Sequence, residues 1–109
     1  SAALPVRDAM NLCLEKQLSK FPVRDDRTGK WIGVFSAYHA MFAIREEEWT
    51  RRNAAECMLP LIGIPASTPL GEALKQTKGT DSAMFAVLDA DGTQTGIFTS
   101  FDLARKLFG

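Results

Sequence analysis

Met84-Phe85-Ala86-Val87-Leu88-Asp89-Ala90-Asp91-Gly92-Thr93-Gln94-Thr95-Gly96-Ile97-Phe98-Thr99-Ser100-Phe101-Asp102 carries the pattern from which the rest of the chain is read. An apolar, β-favouring run over 84–88 meets the turn chemistry of Asp89-Ala90-Asp91-Gly92, and a second such run follows over 95–98. That order predicts a β-hairpin. Beyond it, Phe101, Leu103, Ala104, Leu107 and Phe108 fall at helical spacing, which predicts an amphipathic helix over 100–108.

The same grammar occurs earlier in the chain. At an offset of 64 residues, Phe21-Pro22-Val23 lies over Phe85-Ala86-Val87 and Asp25 over Asp89. After a one-residue difference in the turn, Gly33-Val34-Phe35-Ser36-Ala37-Tyr38 lies 63 residues before Gly96-Ile97-Phe98-Thr99-Ser100-Phe101. Leu4-Pro5-Val6-Arg7-Asp8-Ala9-Met10 and Thr68-Pro69-Leu70-Gly71-Glu72-Ala73-Leu74 also align at 64. Two copies of one unit are therefore present.

Each copy predicts a helix opened by Pro, over 4–18 and 69–78. A hairpin follows, with strands over 21–24 and 31–35 in the first copy. A second helix comes next, over 37–49 or 100–108. The second copy also has a lead-in, a short helix over 54–58 ended by Pro60 and a strand over 61–64. Its counterpart in the first copy would lie before Ser1, so the first unit is expected to lack about a dozen residues at its start. The limits read this way are 1–48 for the first unit, 49–53 for a linker and 54–109 for the second unit. The charged run Arg45-Glu46-Glu47-Glu48-Trp49-Thr50-Arg51-Arg52 reads as a solvated continuation of the preceding helix.

The 109 residues are 46% apolar and 24% charged, the composition of a globular domain with a modest core. Thirteen Lys+Arg balance thirteen Asp+Glu, without the basic excess that phosphate neutralisation along a nucleic acid requires. No nucleic-acid partner is expected. Ile32 to Ile44 is uncharged over 13 residues, well short of the roughly 20 needed to cross a bilayer. The start, Ser1-Ala2-Ala3-Leu4-Pro5, lacks an initiator Met and the features of a secretory signal, and it reads as the start of a cut fragment. Cys13 and Cys57 have no partner at a metal-ligand spacing and are expected to be buried free thiols in a reducing cytoplasm.

An enzymatic reading finds little to stand on. The chain has one His, no Walker-type glycine loop, no G-x-S-x-G and no cluster able to hold a catalytic metal. No catalytic residue and no metal site is therefore expected. Asp25, Asp26, Asp89 and Asp91 occupy equivalent hairpin turns, where Asp is favoured for turn geometry alone.

A β-α-β-β-α unit in tandem, with Gly96-Ile97-Phe98-Thr99-Ser100-Phe101-Asp102 closing the second copy, resembles a pair of CBS domains. Phe21-Pro22-Val23, Trp31-Ile32-Gly33-Val34-Phe35-Ser36 and Ala55-Glu56-Cys57-Met58-Leu59-Pro60 carry the same resemblance. It implies an α+β fold in which each unit is a small sheet covered by two helices. Within that family, Ser19-Lys20-Phe21-Pro22-Val23 and the segment over 91–99 are similar to the CBS pairs of CorC/HlyC-type and CNNM-type membrane proteins, which are linked to magnesium and cobalt transport. The resemblance implies a regulatory module that binds AMP, ADP or ATP in a cleft between paired units, associates as a homodimer and serves an attached membrane or effector domain. It also implies a cytoplasmic location and no covalent cofactor, and it leaves open whether Mg²⁺ accompanies the nucleotide.

Thr99 ends a strand and Asp102 stands three residues on, where free N–H groups and the positive end of the helix dipole gather. Thr99 can donate to a phosphate, and the Asp102 carboxylate can accept from two ribose hydroxyls at once. By family position the adenine slot would be lined by Gly63, Ile64, Phe85 and Ala86. The same Thr-x-x-Asp spacing is also a helix cap, and both roles can coexist. In the first copy Ser36 keeps the hydroxyl, but His39 stands where Asp102 stands. A neutral imidazole cannot grip a diol as a carboxylate does. At most one competent cleft is therefore expected. The competing reading is an interaction module without a working nucleotide site, using Tyr38, Met41, Phe42, Phe101 and Phe108 as its surface.

Overall fold

A computed structural model of the chain describes residues 1–77, 84–99 and 102. It divides into two compact units, Ser1–Pro60 and Leu61–Gly109. Both units are mixed α+β, and the order helix, hairpin, helix in the first and strand, helix, hairpin in the second follows the sequence reading.

The first unit opens with α1, Val6–Lys16. Pro5 precedes it, where the fixed φ of proline suits a helix entry and its missing N–H costs nothing. Gln17 takes a left-handed conformation at φ 54° and ends the helix by donating its N–H to Leu14 O. Strand β1, Lys20–Arg24, then pairs antiparallel with β2, Trp31–Ser36, with Phe21 opposite Phe35 and Val23 opposite Gly33. In the connecting turn, Asp25 Oδ1 accepts from the N–H groups of Arg27 at 2.7 Å and Thr28 at 3.1 Å, and Gly29 supplies φ 74°.

Helix α2 covers only Ala37–Ala43, against the expectation of a helix reaching 49. Ile44 turns extended at φ −131°, and the Trp49 indole donates to the freed Ile44 carbonyl at 3.0 Å. The charged segment then forms a separate 3₁₀ turn, Glu46–Glu48. Two bonds bind it to the start of α1: Arg7 N–H donates to Trp49 O at 3.0 Å, and Val6 N–H to Arg52 O at 2.8 Å. The Arg7 guanidinium also lies 5.3 Å from the centre of the Trp49 ring. These long-range contacts outweigh the helical propensity of the Glu run.

The expected helix over 54–58 is a 3₁₀ turn, Ala54–Glu56, opened by a reciprocal capping box between Asn53 and Glu56. After it, β3, Leu59–Pro60, pairs antiparallel with β2 and completes a three-stranded sheet in the order β1-β2-β3. The segment 54–60 therefore packs with the first unit. The core beneath the sheet gathers Val6, Ala9, Cys13, Val23, Phe35, Ala40, Ala54 and Cys57.

In the second unit, β4 is Ile62–Pro65, α3 is Leu70–Thr77, β5 is Met84–Leu88 and β6 is Gln94–Thr99. The sheet order is β4-β5-β6, parallel between β4 and β5 and antiparallel between β5 and β6. Parallel neighbours require a crossover, which is the segment that carries α3. The β5–β6 turn repeats the chemistry of the first. Asp89 Oδ1 accepts from Asp91 N–H at 3.1 Å and Thr93 N–H at 2.9 Å, and Gly92 takes φ 87°. The helix expected over 100–108 lies outside the described residues except at Asp102, which is helical.

Candidate functional site

Pairing register decides which side chains share a face, because cross-strand partners point the same way and neighbours along a strand alternate. Ile62 pairs with Phe85, which pairs with Phe98; Ile64 pairs with Val87. This face holds the core, where Ile64, Phe85 and Ala73 of α3 are buried and Ile62 and Phe98 pack against them. The opposite face carries the row Gly63, Ala86 and Ile97, with Thr99 two residues further along β6 and opposite Met84.

The candidate adenine residues therefore divide. Gly63 and Ala86 lie on the same face as Thr99, roughly 12 Å separating Gly63 from Thr99 by strand spacing and rise. The Ile64 and Phe85 side chains are buried at 3% and 1% exposure on the core face, and Ala86 on the other face is equally buried at 1%. Strand β4 stands at one end of its sheet order, and alternate N–H and C=O groups of such a strand point away from β5. A side chain at 63 would narrow this edge, since a Cβ there would lie 2.9 Å from Leu88 Cδ1.

Thr99 and Asp102 form a reciprocal pair. The Thr99 N–H donates to Asp102 Oδ2 at 2.9 Å, and the Asp102 N–H donates to Thr99 Oγ1 at 3.1 Å. This is the geometry of a capping box, with the acid holding the end of β6 while the hydroxyl holds the first turn after it. The Thr99 oxygen acts as an acceptor here and its hydroxyl proton remains a donor; an ionised carboxylate has about four acceptor sites, more than one capping bond uses.

Ser36 stands in the first unit at the end of β2 and is 4% exposed. It accepts the His39 N–H at 3.2 Å, the same cap made by the hydroxyl alone. Among the described residues the Ser36 N–H makes no bond to the His39 ring, which would be the counterpart of the Thr99 N–H bond to Asp102.

Two cavities add what the sequence did not reveal. One, of about 530 Å³, lies at the carboxyl ends of β4 and β5 between Pro65-Ala66-Ser67 and Leu88-Asp89. It is at the end of these strands remote from Thr99, and none of the sequence-derived site residues lines it. The other, of about 370 Å³, lies in the first unit and is lined by His39, Arg45, Glu48, Arg52 and Glu56 with apolar neighbours. The shortened α2 creates its wall, which is why helical periodicity could not foresee it.

Titration in the described residues is governed by the turns and the core. The two N–H donors to Asp25 hold its carboxyl below the usual carboxylate range. Asp91 is held low chiefly by its bond with Asp89 and by Thr93. Burial pushes the Cys13 thiol up, and burial together with the Glu56 charge does the same to Cys57. Among the described residues no three His, Cys, Asp or Glu side chains come together as a metal site. No helix among them is long and apolar enough to cross a membrane.

An antiparallel sheet in the first unit and a mixed sheet in the second, each with a strand that ends on a hydroxyl cap, define a tandem α+β module. The chain belongs to the CBS-domain family, whose model matches residues 53–109. Its fold is similar to that of the CBS domain of the bacterial CNNM/CorC family Mg²⁺ transporter in complex with ATP, at a TM-score of 0.81 and 23% identity over 99% of this chain and 76% of that one. It is also similar to CBSX2 of Arabidopsis thaliana in complex with AMP, at a TM-score of 0.72 and 26% identity over 98% of this chain and 84% of that one. A curated relative, UPF0053 protein MG146 of Mycoplasma genitalium, is 27% identical over 108 residues. The match covers 95% of this chain but only 25% of that protein, so the chain spans about a quarter of its length.

Proposed function

We propose that this chain is a regulatory module that senses an adenine nucleotide, AMP, ADP or ATP, and forms the cytoplasmic part of a CorC/HlyC-like protein of magnesium or cobalt transport. It acts by binding and not as an enzyme. The observation that carries the reading is the Thr99–Asp102 pair, set at the end of β6 beside a face floored by Gly63 and Ala86. In this reading Asp102 takes the ribose hydroxyls, Thr99 a phosphate oxygen, and the β4 edge at Gly63 and Ile64 with β5 at Phe85 and Ala86 the adenine. Solved relatives with ATP or AMP bound support the ligand class.

We take the limits of the repeat as 1–48 and 54–109 joined by 49–53; the family match from residue 53 supports the second, while the segment 54–60 packs with the first compact unit. Ser36 with His39 lacks the carboxylate and forms no equivalent ribose grip. Regulation requires that nucleotide bind two arrangements of the protein unequally, since equal affinity shifts nothing. The segment around Trp49 and Arg52, bonded to the start of α1, is the path we assign to that change. Thermal denaturation tests the reading: a nucleotide at about 100 times its Kd adds about 2.7 kcal/mol of apparent stability. Absence of any shift with AMP, ADP or ATP, with and without Mg²⁺, contradicts it.

One observation favours a second reading, a homodimerising interaction module. Tyr38, Met41 and Phe42 on α2 are 72%, 59% and 75% exposed, and the Tyr38 and Phe42 rings lie 5.0 Å apart. Leu14 on α1 is 77% exposed. Exposed apolar groups gathered on α2 suit association better than solvation. Sedimentation of Phe42→Ser separates the readings: loss of a dimer with nucleotide binding retained supports both roles, and a monomeric parent chain removes the second.

A further inference from the structure

We propose that the 370 Å³ cavity of the first unit binds the phosphate group of a small solute through Arg45, Arg52 and His39, independently of the second-unit nucleotide site. The repeat supplies the first argument. His39 occupies the position of Asp102, so a group that only accepts hydrogen bonds has been exchanged for one that offers a ring N–H in either protonation state. That exchange removes affinity for hydroxyl donors such as a ribose diol and creates affinity for an acceptor.

The arginines supply the second. Among the described residues the Arg45 side chain has no ion pair or hydrogen bond, yet it lines the cavity. Arg52 lies 3.9 Å from Glu48 and 3.8 Å from Glu56, beyond hydrogen-bonding distance, so the carboxylates orient its guanidinium without occupying its N–H groups. Each carboxylate, besides its ion pair with Arg52, has a hydrogen-bonded partner of its own. Glu48 Oε1 accepts from Arg51 at 2.6 Å, and Glu56 Oε2 accepts the Asn53 N–H at 3.3 Å in the capping box. Two guanidiniums with available donors and an imidazole thus line one cavity, and planar guanidinium donors match phosphate oxygens.

The chain has a single histidine, so its ring resonances report on this cavity without ambiguity. The test is a proton NMR titration of the chain, and of Asp102→Ala to disable the second-unit site, with sodium pyrophosphate for a free anion and glycerol 3-phosphate for a phosphate carried on an organic body. Saturable shifts of the His39 signals by either ligand at millimolar concentration are expected in both proteins, and the tighter ligand identifies the source. Arg45→Gln, which breaks no contact described in the fold, is expected to weaken binding about tenfold, the scale of one charge-assisted hydrogen bond. Shifts no larger than those from sodium chloride at equal ionic strength, or an unchanged midpoint in Arg45→Gln, overturn the proposal.

Discussion

Thr99 and Asp102 each donate a backbone N–H to the other's side chain, at 2.9 and 3.1 Å. The pair therefore has a structural role before any ligand arrives, and the two roles separate by substitution. Asp102→Ala removes the acceptor for the Thr99 N–H and is expected to cost about 1 kcal/mol in urea denaturation. Asp102→Asn keeps an acceptor oxygen and is expected to retain most of that stability, yet it exchanges a charged acceptor for an amide and weakens the ribose grip. Equal nucleotide affinity in Asn and wild-type proteins would argue that the carboxylate only caps.

Two glycines make a contrasting pair. A Cβ at Gly33 would lie 2.5 Å from Met58 Sδ and 2.9 Å from Leu59 O, a side chain and a backbone atom of the segment that pairs with β2. Gly33→Ala is expected to destabilise by about 1–3 kcal/mol, because backbone cannot yield as a side-chain tip can. At Gly63 the closest obstacle is the tip of Leu88, so Gly63→Ala is expected to cost less stability and to act mainly on nucleotide affinity. Denaturation midpoints and calorimetry on the two variants check both halves of the contrast.

Much of this was legible in the repeat. The alignment of Phe21-Pro22-Val23 with Phe85-Ala86-Val87 placed both hairpins, and the Asp-to-Gly turns carry the positive φ at Gly29 and Gly92 that such turns demand. The hydroxyl at Ser36 and Thr99 was equally readable, as was the loss of the acid at His39. What escaped depends on contacts distant in sequence. Nothing local stops α2 at Ala43, because the Trp49 indole and the start of α1 decide it. The pairing of Leu59–Pro60 with β2 is likewise non-local, although two local signals were present: the residue before a proline favours extended backbone, and Asn53-x-x-Glu56 has capping-box spacing. The division of Gly63 and Ala86 from the Ile64 and Phe85 side chains needed the strand register.

The first hairpin turn sets a pH dependence. The Asp25 carboxyl titrates below its ordinary value because the Arg27 and Thr28 N–H groups favour its ionised form. Its contribution is thus complete above the unfolded-state pKa of about 3.9 and is lost as pH falls through the lower folded value. Asp25→Ala is expected to lower urea stability at neutral pH, with the gap to wild type closing at the acid end. A gap that persists unchanged in acid would assign the loss to packing and not to the charge.

Cys13 and Cys57 lie in the same core, with thiol pKa values raised first by burial. Thiolate is the reactive form, so both are expected to react slowly with a disulfide reagent at neutral pH and rapidly once urea unfolds the chain. A thiol that reacts rapidly in the native protein would contradict the packing of this core.

Calorimetric titration of AMP and ATP, with and without Mg²⁺, into the chain and into Asp102→Ala tests the central claim most directly. Saturable binding of at least one nucleotide at a site that is lost in Asp102→Ala, whatever weaker phosphate binding the first unit retains, is the predicted result. No binding, or binding that survives the substitution intact, would contradict it.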